Sequence, residues 1–142
     1  MRVGVASVAL VCAAVGVGKG MKPYVCSIPT TPPSLNVYKR MHWAQQQKGQ
    51  RAWQEMLQAV LNEKGNRCPR GLNRIDIYAV IGFRLNRRRD SDNFLTPLNK
   101  WTQDYLVGLG VIPDDTSEHC TFHPPSIVIG PEEQTVLMVV KR

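Results

Sequence analysis

Asp90 and Asp92 are separated by one residue, Ser91, and follow directly on a basic run, Arg84, Arg87, Arg88 and Arg89. In an extended chain, side chains two apart point to the same face, with α-carbons roughly 7 Å apart. Two carboxylates so placed can share a hard cation. Mg²⁺ prefers oxygen ligands and keeps several of its waters, so two or three carboxylates suffice; Mn²⁺ suits the same donors and is a possible substitute. A metal there polarises a phosphodiester, lowers the pKa of an attacking water and steadies the leaving oxygen. The arginines give the reading its substrate, because they hold phosphates while the aspartates hold metal. The structural alternative is a cluster of surface ion pairs, each contributing only about 0–1 kcal/mol.

Other residues could join this chemistry. Asp114 and Asp115 form a second acidic pair, after Pro113, in what reads locally as a turn. They take part only if the chain between the two pairs returns them to Asp90. Lys100 could reach a phosphate or a leaving oxygen, or else pair with Asp104 at i,i+4 on a helix. Lys39, Arg40, Lys48 and Arg51 form a second basic group earlier in the chain. His42, His119 and His123 are each able to act as a general base. None has a partner at diagnostic spacing, which favours structural or surface roles. The sequence holds no Gly-rich phosphate loop, nucleophile elbow or zinc-finger spacing.

The elements that must position these residues are legible from periodicity. Tyr24 to Ile28 reads as a first strand, ended by Pro29, Pro32 and Pro33. A helix follows, strongest from Gln50 to Lys64 and extending back towards Trp43. Its buried stripe is Trp53, Met56, Leu57, Val60 and Leu61, and Gly65 supplies the stop. Ile75 to Phe83 is a strand rich in Ile and Val that delivers the arginines and the Asp pair. Thr96 and Pro97 mark the start of a second helix, a capping residue followed by proline at the first helical position. Leu98, Trp101, Tyr105, Leu106 and Leu109 are its core stripe, and Gly108 and Gly110 end it. His119 to Phe122 and Val136 to Val140 are two further strands, with Pro124, Pro125, Gly130 and Pro131 punctuating the connection between them. The order strand, helix, strand, helix, strand, strand predicts a small α/β or α+β domain. It has one mixed, mostly antiparallel sheet packed with two main helices.

The 142 residues give room for one domain with one core, and hydrophobic residues at 43% are enough to fill it. Lys and Arg number 18 against 11 acids, a net charge of +7 that points to an anionic partner, nucleic acid first. The four cysteines, Cys12, Cys26, Cys68 and Cys120, have neither zinc-site nor disulfide-framework spacing. They fit reduced, partly buried thiols of a cytoplasmic protein. Val3 to Val17 is apolar but too short and Gly-rich to span a membrane comfortably. Behind Arg2 it resembles a signal-peptide core, but Gly18–Lys19–Gly20 is a poor cleavage site. Residues 1–20 are therefore read as an extension outside the fold, and 21–142 as the domain.

The block Arg88–Arg89–Asp90–Ser91–Asp92–Asn93, a helix ending near Gly110 and then Asp114–Asp115 resembles the RusA family of Holliday junction resolvases. Ser27–Ile28–Pro29, followed by Pro32–Pro33–Ser34 and Asn36, resembles that family's opening strand and turn. The resemblance runs from about Met21 to the C-terminus. It implies a homodimeric, Mg²⁺-dependent endonuclease that resolves four-way DNA junctions in recombination and repair. Asp90, Asp92 and Asp115 would hold metal, and a catalytic lysine would lie on the following helix. Counting forward from Asp92 puts that lysine at Thr96; counting back from Gly110 puts it at Lys100, which the Thr96–Pro97 cap favours. Arg84, Arg87, Arg88, Arg89, Lys39 and Arg40 would contact DNA. The rival expectations are a non-catalytic DNA-binding protein on the same fold and a nuclease for other branched DNA, such as flaps or forks.

Overall fold

The computed structural model describes residues 23–142; the apolar extension expected at 1–20 lies outside the described residues. β1 (Tyr24–Ile28) is followed by a helix not foreseen in the sequence, α1 (Leu35–Arg40), capped by Ser34, whose side chain accepts from the Val37 N–H at 3.3 Å. Its one buried residue is Tyr38. α2 (Trp43–Leu61) begins where expected from its backward extension and is capped by His42, whose Nδ1 accepts from the Ala44 N–H at 3.2 Å. Trp53, Leu57 and Leu61 are fully buried, with Met56 and Val60 half-buried beside them. The helix stops at Leu61 rather than Lys64, and Gly65 turns with a positive φ of 86° four residues later.

β2 (Ile75–Phe83) occupies the predicted span. α3 (Asp92–Gly108) starts four residues before the expected Thr96. The carbonyls of Asp90 and Ser91 already accept from the Asn93 and Phe94 N–H groups, both at 3.1 Å. Phe94 packs on Phe83 with ring centroids 5.5 Å apart, which extends the core stripe of Leu98, Trp101 and Leu106 upstream. Pro97 therefore lies inside the helix, where it removes only the bond to the Asn93 carbonyl. At the far end the Val111 N–H bonds the Leu106 carbonyl and the Gly110 N–H that of Val107, both at 3.0 Å. With Gly110 at φ 79° this is a Schellman stop.

The remaining strands are β3 (Cys120–Phe122), β4 (Ser126–Ile129) and β5 (Gln134–Lys141). β4 falls in the stretch read from sequence as a punctuated connection. The order is thus strand, helix, helix, strand, helix, strand, strand, strand, two short elements more than predicted. β5 lies between β1 and β2, antiparallel to both. β3 and β4 run parallel to β2 along its other edge, β3 against Ile75–Ile77 and β4 against Val80–Phe83. Pro124 and Pro125 cannot donate to a ladder, which explains why that edge is made of two short strands. The class is a small α+β domain with one mixed sheet of five strands and three helices, the longer ladders antiparallel.

Alternation along the strands gives the sheet two faces. Ile28, Ile75, Ile77, Ile81, Leu137 and Val139 share the main core with the buried residues of α2 and α3. Val80, Val136, Met138 and Val140 form a second cluster whose described members all lie on strands. Among the described residues no helix is long and apolar enough to cross a membrane.

Candidate active site at the start of helix α3

The strand-to-helix passage from Phe83 to Asp92 is built around Arg89. Its guanidinium carbon lies 3.9 Å from the Phe83 ring centroid, and its Nη1 donates to the carbonyls of Leu85 at 2.8 Å and Arg87 at 3.4 Å. Cation–π contact and loop carbonyls thus fix one of the four arginines as the pin of the loop. Arg84, Arg87 and Arg88 are exposed. The ion pairs among the described residues all involve Asp76, so these three arginines neutralise neither Asp90 nor Asp92.

Asp90 and Asp92 are both exposed. They are not two positions of an extended strand, as the spacing suggested, because Ser91 already has helical angles, φ −59° and ψ −34°. They meet by another route. The Asp90 Oδ1 accepts from the Asp92 backbone N–H at 3.1 Å, folding one carboxylate over the base of the other. Ser91 makes no side-chain capping bond, so Asp90 caps α3 in its place. Both carboxylates stand at the N-terminal end of the helix, where its dipole is positive. One oxygen of Asp90 and the whole carboxylate of Asp92 are left without a hydrogen-bond partner among the described residues. That donor set fits a hard cation that keeps most of its water.

Lys100 is exposed on α3, but the earlier helix start moves it from the first turn to the third. At about 1.5 Å per residue its α-carbon stands about 12 Å along the axis from Asp92. Thr96, also exposed, lies between them at i,i+4 from each. The two counts for the lysine position therefore land on one helix face, about one turn apart. The expected alternative pairing of Lys100 with Asp104 is absent among the ion pairs of the described residues.

Asp115 does not join the first pair. α3 does return the chain, but to the opposite end of β2: the Gly71 and Leu72 N–H groups bond the carbonyls of Gly110 and Val111, both at 2.8 Å, and β3 then pairs with the start of β2. The carboxyl of Asp115 is raised above its ordinary pKa chiefly by hydrogen bonding with the Asp114 carboxyl. Smaller contributions come from desolvation and from the charges of Asp114 and Asp104. Asp104 is twelve positions past Asp92, about 18 Å along the helix. The Asp114 Oδ1 also accepts from the Asp115 N–H at 2.7 Å, the turn expected for this pair. Among the described residues no three of His, Cys, Asp or Glu converge as a metal cluster.

Lys39 and Arg40, the expected DNA contacts of the second basic group, are exposed at the end of α1. The histidines have structural roles, as anticipated: His42 caps α2, the His119 Nδ1 lies 2.7 Å from the Asn73 carbonyl, and His123 stacks on Tyr78 at 4.2 Å between centroids. Cys26, Cys68 and Cys120 are free and buried; Cys12 lies outside the described residues. One charged residue escaped the sequence reading. Asp76, buried within β2, pairs with Arg142 and lies 3.8 Å from the His123 Nε2. The signal was present as a lone charge between Ile75 and Ile77. Compared with known proteins, the chain matches no family model and no curated sequence.

Proposed function

We propose that the protein is a Mg²⁺-dependent, structure-selective DNA endonuclease that resolves four-way junctions, with Asp90 and Asp92 at the centre of its site. The observation that carries this reading is the pair itself. Two exposed carboxylates meet at a strand-to-helix passage, beside three exposed arginines that do not neutralise them. A solvated ion-pair cluster would leave the two signs joined; here they are available for different ligands. Bound Mg²⁺ or Mn²⁺ would supply the charge that activates water and polarises the phosphodiester. Arg84, Arg87 and Arg88 bind the phosphates on either side, while Arg89 holds the loop that presents them. Lys100, Lys39 and Arg40 take phosphates further along the DNA.

A homodimer belongs to this reading, since two symmetric cuts need two sites related by a two-fold axis. Asp115, at the far end of α3, contributes to the metal only from a second copy. The test is a synthetic four-way junction incubated with Mg²⁺ or with EDTA. Symmetric nicking that needs the metal and is lost in Asp90→Asn supports the proposal. Unchanged cleavage by Asp90→Asn removes the site assignment.

The second reading is a non-catalytic DNA-binding protein, favoured by the separation of Asp115 and Lys100 from the Asp pair within one chain. It expects salt-sensitive binding with no strand scission under any divalent metal. Cleavage of flaps or forks in preference to four-way junctions would instead make it a nuclease for other branched DNA.

A further inference from the structure

Both faces of the sheet are apolar, but the described helices account for only one. Val136 to Val140 is an unbroken apolar run in β5, and all of it is buried. A strand with water on one side alternates apolar and polar residues, whereas an unbroken run marks burial on both sides. Tyr38 of α1, Trp53 and Leu57 of α2, and Leu98 and Leu106 of α3 all belong to the main core on the first face. On the second face Val80, Val136, Met138 and Val140 are 6%, 3%, 0% and 2% exposed. The described hydrophobic residues packed against them, Val25, Tyr78 and Val128, are neighbours within the same sheet. Met138 lies between Val25 of β1 and Tyr78 of β2. Strand neighbours shield a side chain from its flanks and not from above, so complete burial of Met138 calls for a further layer.

The chain before Pro23 has the composition and the attachment point to supply that layer. Val3 to Val17 carries no charged residue, and Ser7 is its one hydroxyl. As a helix those fifteen residues would reach about 22 Å. The strands to be crossed, β1, β5, β2 and β4, are together only about 14 Å wide, at about 4.8 Å per spacing. Pro23 leads directly into β1, an edge strand whose Val25 packs against the second cluster. The segment is therefore tethered at the margin of the face it would cover, through Gly18–Lys19–Gly20, where two glycines permit a reversal. A second copy fits less well, because these side chains are already buried within one chain.

We propose that residues 3–17 pack across the second face of the sheet, over Val80, Val136 and Met138, as an intramolecular third layer. The helices then cover one face and the apolar segment the other. This gives the segment a place within the fold, in contrast to the sequence expectation that residues 1–20 lie outside it. The inference goes beyond the functional reading and needs neither DNA nor metal.

The test is methyl NMR on the full chain with labelled Met and Ala methyl groups. Nuclear Overhauser contacts are expected from the Met138 methyl to one or more of Ala6, Ala9, Ala13 and Ala14, within a single chain. Absence of such contacts overturns the proposal. Contacts seen only between differently labelled chains overturn it too, and give the face to a second copy. A paired variant, Leu10→Asp with Val11→Asp, adds a second measurement on the full chain. Charges introduced into a packed segment would be buried without partners, and the melting temperature is expected to fall by at least about 4 °C. An unchanged melt overturns the proposal, because charges in a segment outside the fold cost it nothing. Neither measurement involves cleavage, so failure here leaves the nuclease reading to its own assay.

Discussion

The Asp90 carboxylate holds the backbone N–H of Asp92 at 3.1 Å, so the residue placed at the centre of the chemistry also starts the helix that carries its neighbour. The two roles separate by substitution. Asparagine keeps an Oδ1 able to accept that bond and loses only the charge. Asp90→Asn is expected to melt within about 0.5 kcal/mol of the wild type while cleavage falls at least about a hundredfold. Asp90→Ala is expected to lose cleavage and, in addition, about 1 kcal/mol of stability with the cap. Thermal melts set beside junction nicking rates check both; equal stability of the two variants would remove the capping role.

The four arginines of the loop divide in the same way. Arg88→Ala is expected to leave the melt unchanged and to lower the salt dependence of DNA binding by about one unit of slope, since one phosphate contact is lost. Arg89→Ala removes the group that sits on Phe83 and ties the Leu85 and Arg87 carbonyls. It is expected to cost about 1 kcal/mol and to weaken binding by loosening its neighbours. Titrations at several salt concentrations distinguish the two; an Arg89→Ala variant with wild-type stability would show the pin to be idle.

Subunit mixing tests how Asp115 enters the site. Asp90→Asn and Asp115→Asn chains are each expected to be inactive. Once combined and allowed to exchange, they should form dimers with one intact site and nick a single strand of the junction. No recovery on mixing, with each variant still dimeric, would place Asp115 outside the metal site.

Burial pushes the Cys26 thiol up to about 12, and that of Cys68 up to about 11. Both lie above the ordinary thiol value of about 8.5, so the fold favours the protonated forms. Below that value both the folded and the unfolded chain keep these protons, and the favourable contribution is complete. Above it the unfolded chain ionises first, and stability is lost as pH rises towards the folded values. Urea midpoints are expected to hold up to about pH 8.5 and to fall by about pH 10, less steeply in Cys26→Ala. An identical fall in that variant would remove Cys26 as a contributor.

Arg142→Ala leaves the Asp76 carboxylate buried, with only His123 near it. Because the arginine side is exposed, a loss of stability is expected that is smaller than for breaking a fully buried pair. Chemical denaturation measures it, and an unchanged midpoint would mean that solvent replaces the guanidinium.

The strands and long helices were legible because burial imposes a period. Ile75–Phe83 reads as a strand at both ends, and the Trp53–Leu57–Leu61 stripe marks α2. α1 was not, since six residues with only Tyr38 buried carry no repeat. β4 was hidden by the prolines and glycine on either side, which also punctuate ordinary loops. The start of α3 was misplaced because Thr96–Pro97 has the composition of a cap. The bond that decides the matter, from Asp92 to the Asp90 side chain, depends on the packing of Phe94 on Phe83. The Asp90–Asp92 pair and its arginines were visible as neighbours in sequence. The position of Asp115 was not, because it follows from the length and direction of a whole helix.

The proline-divided edge of the sheet limits how copies of this chain can meet. Strand addition needs a long, straight row of free N–H and carbonyl groups, and β2 is covered on its outer side by two short strands with Pro124 and Pro125 between them. The opposite edge, β1, is five residues long with Pro23 and Pro29 at its ends. Among the described residues neither margin offers a long template for continuing the sheet into a neighbour. In the proposed homodimer a second copy would meet the first through side chains on helices, loops or a sheet face, and short, proline-bounded margins disfavour edge-to-edge polymerisation.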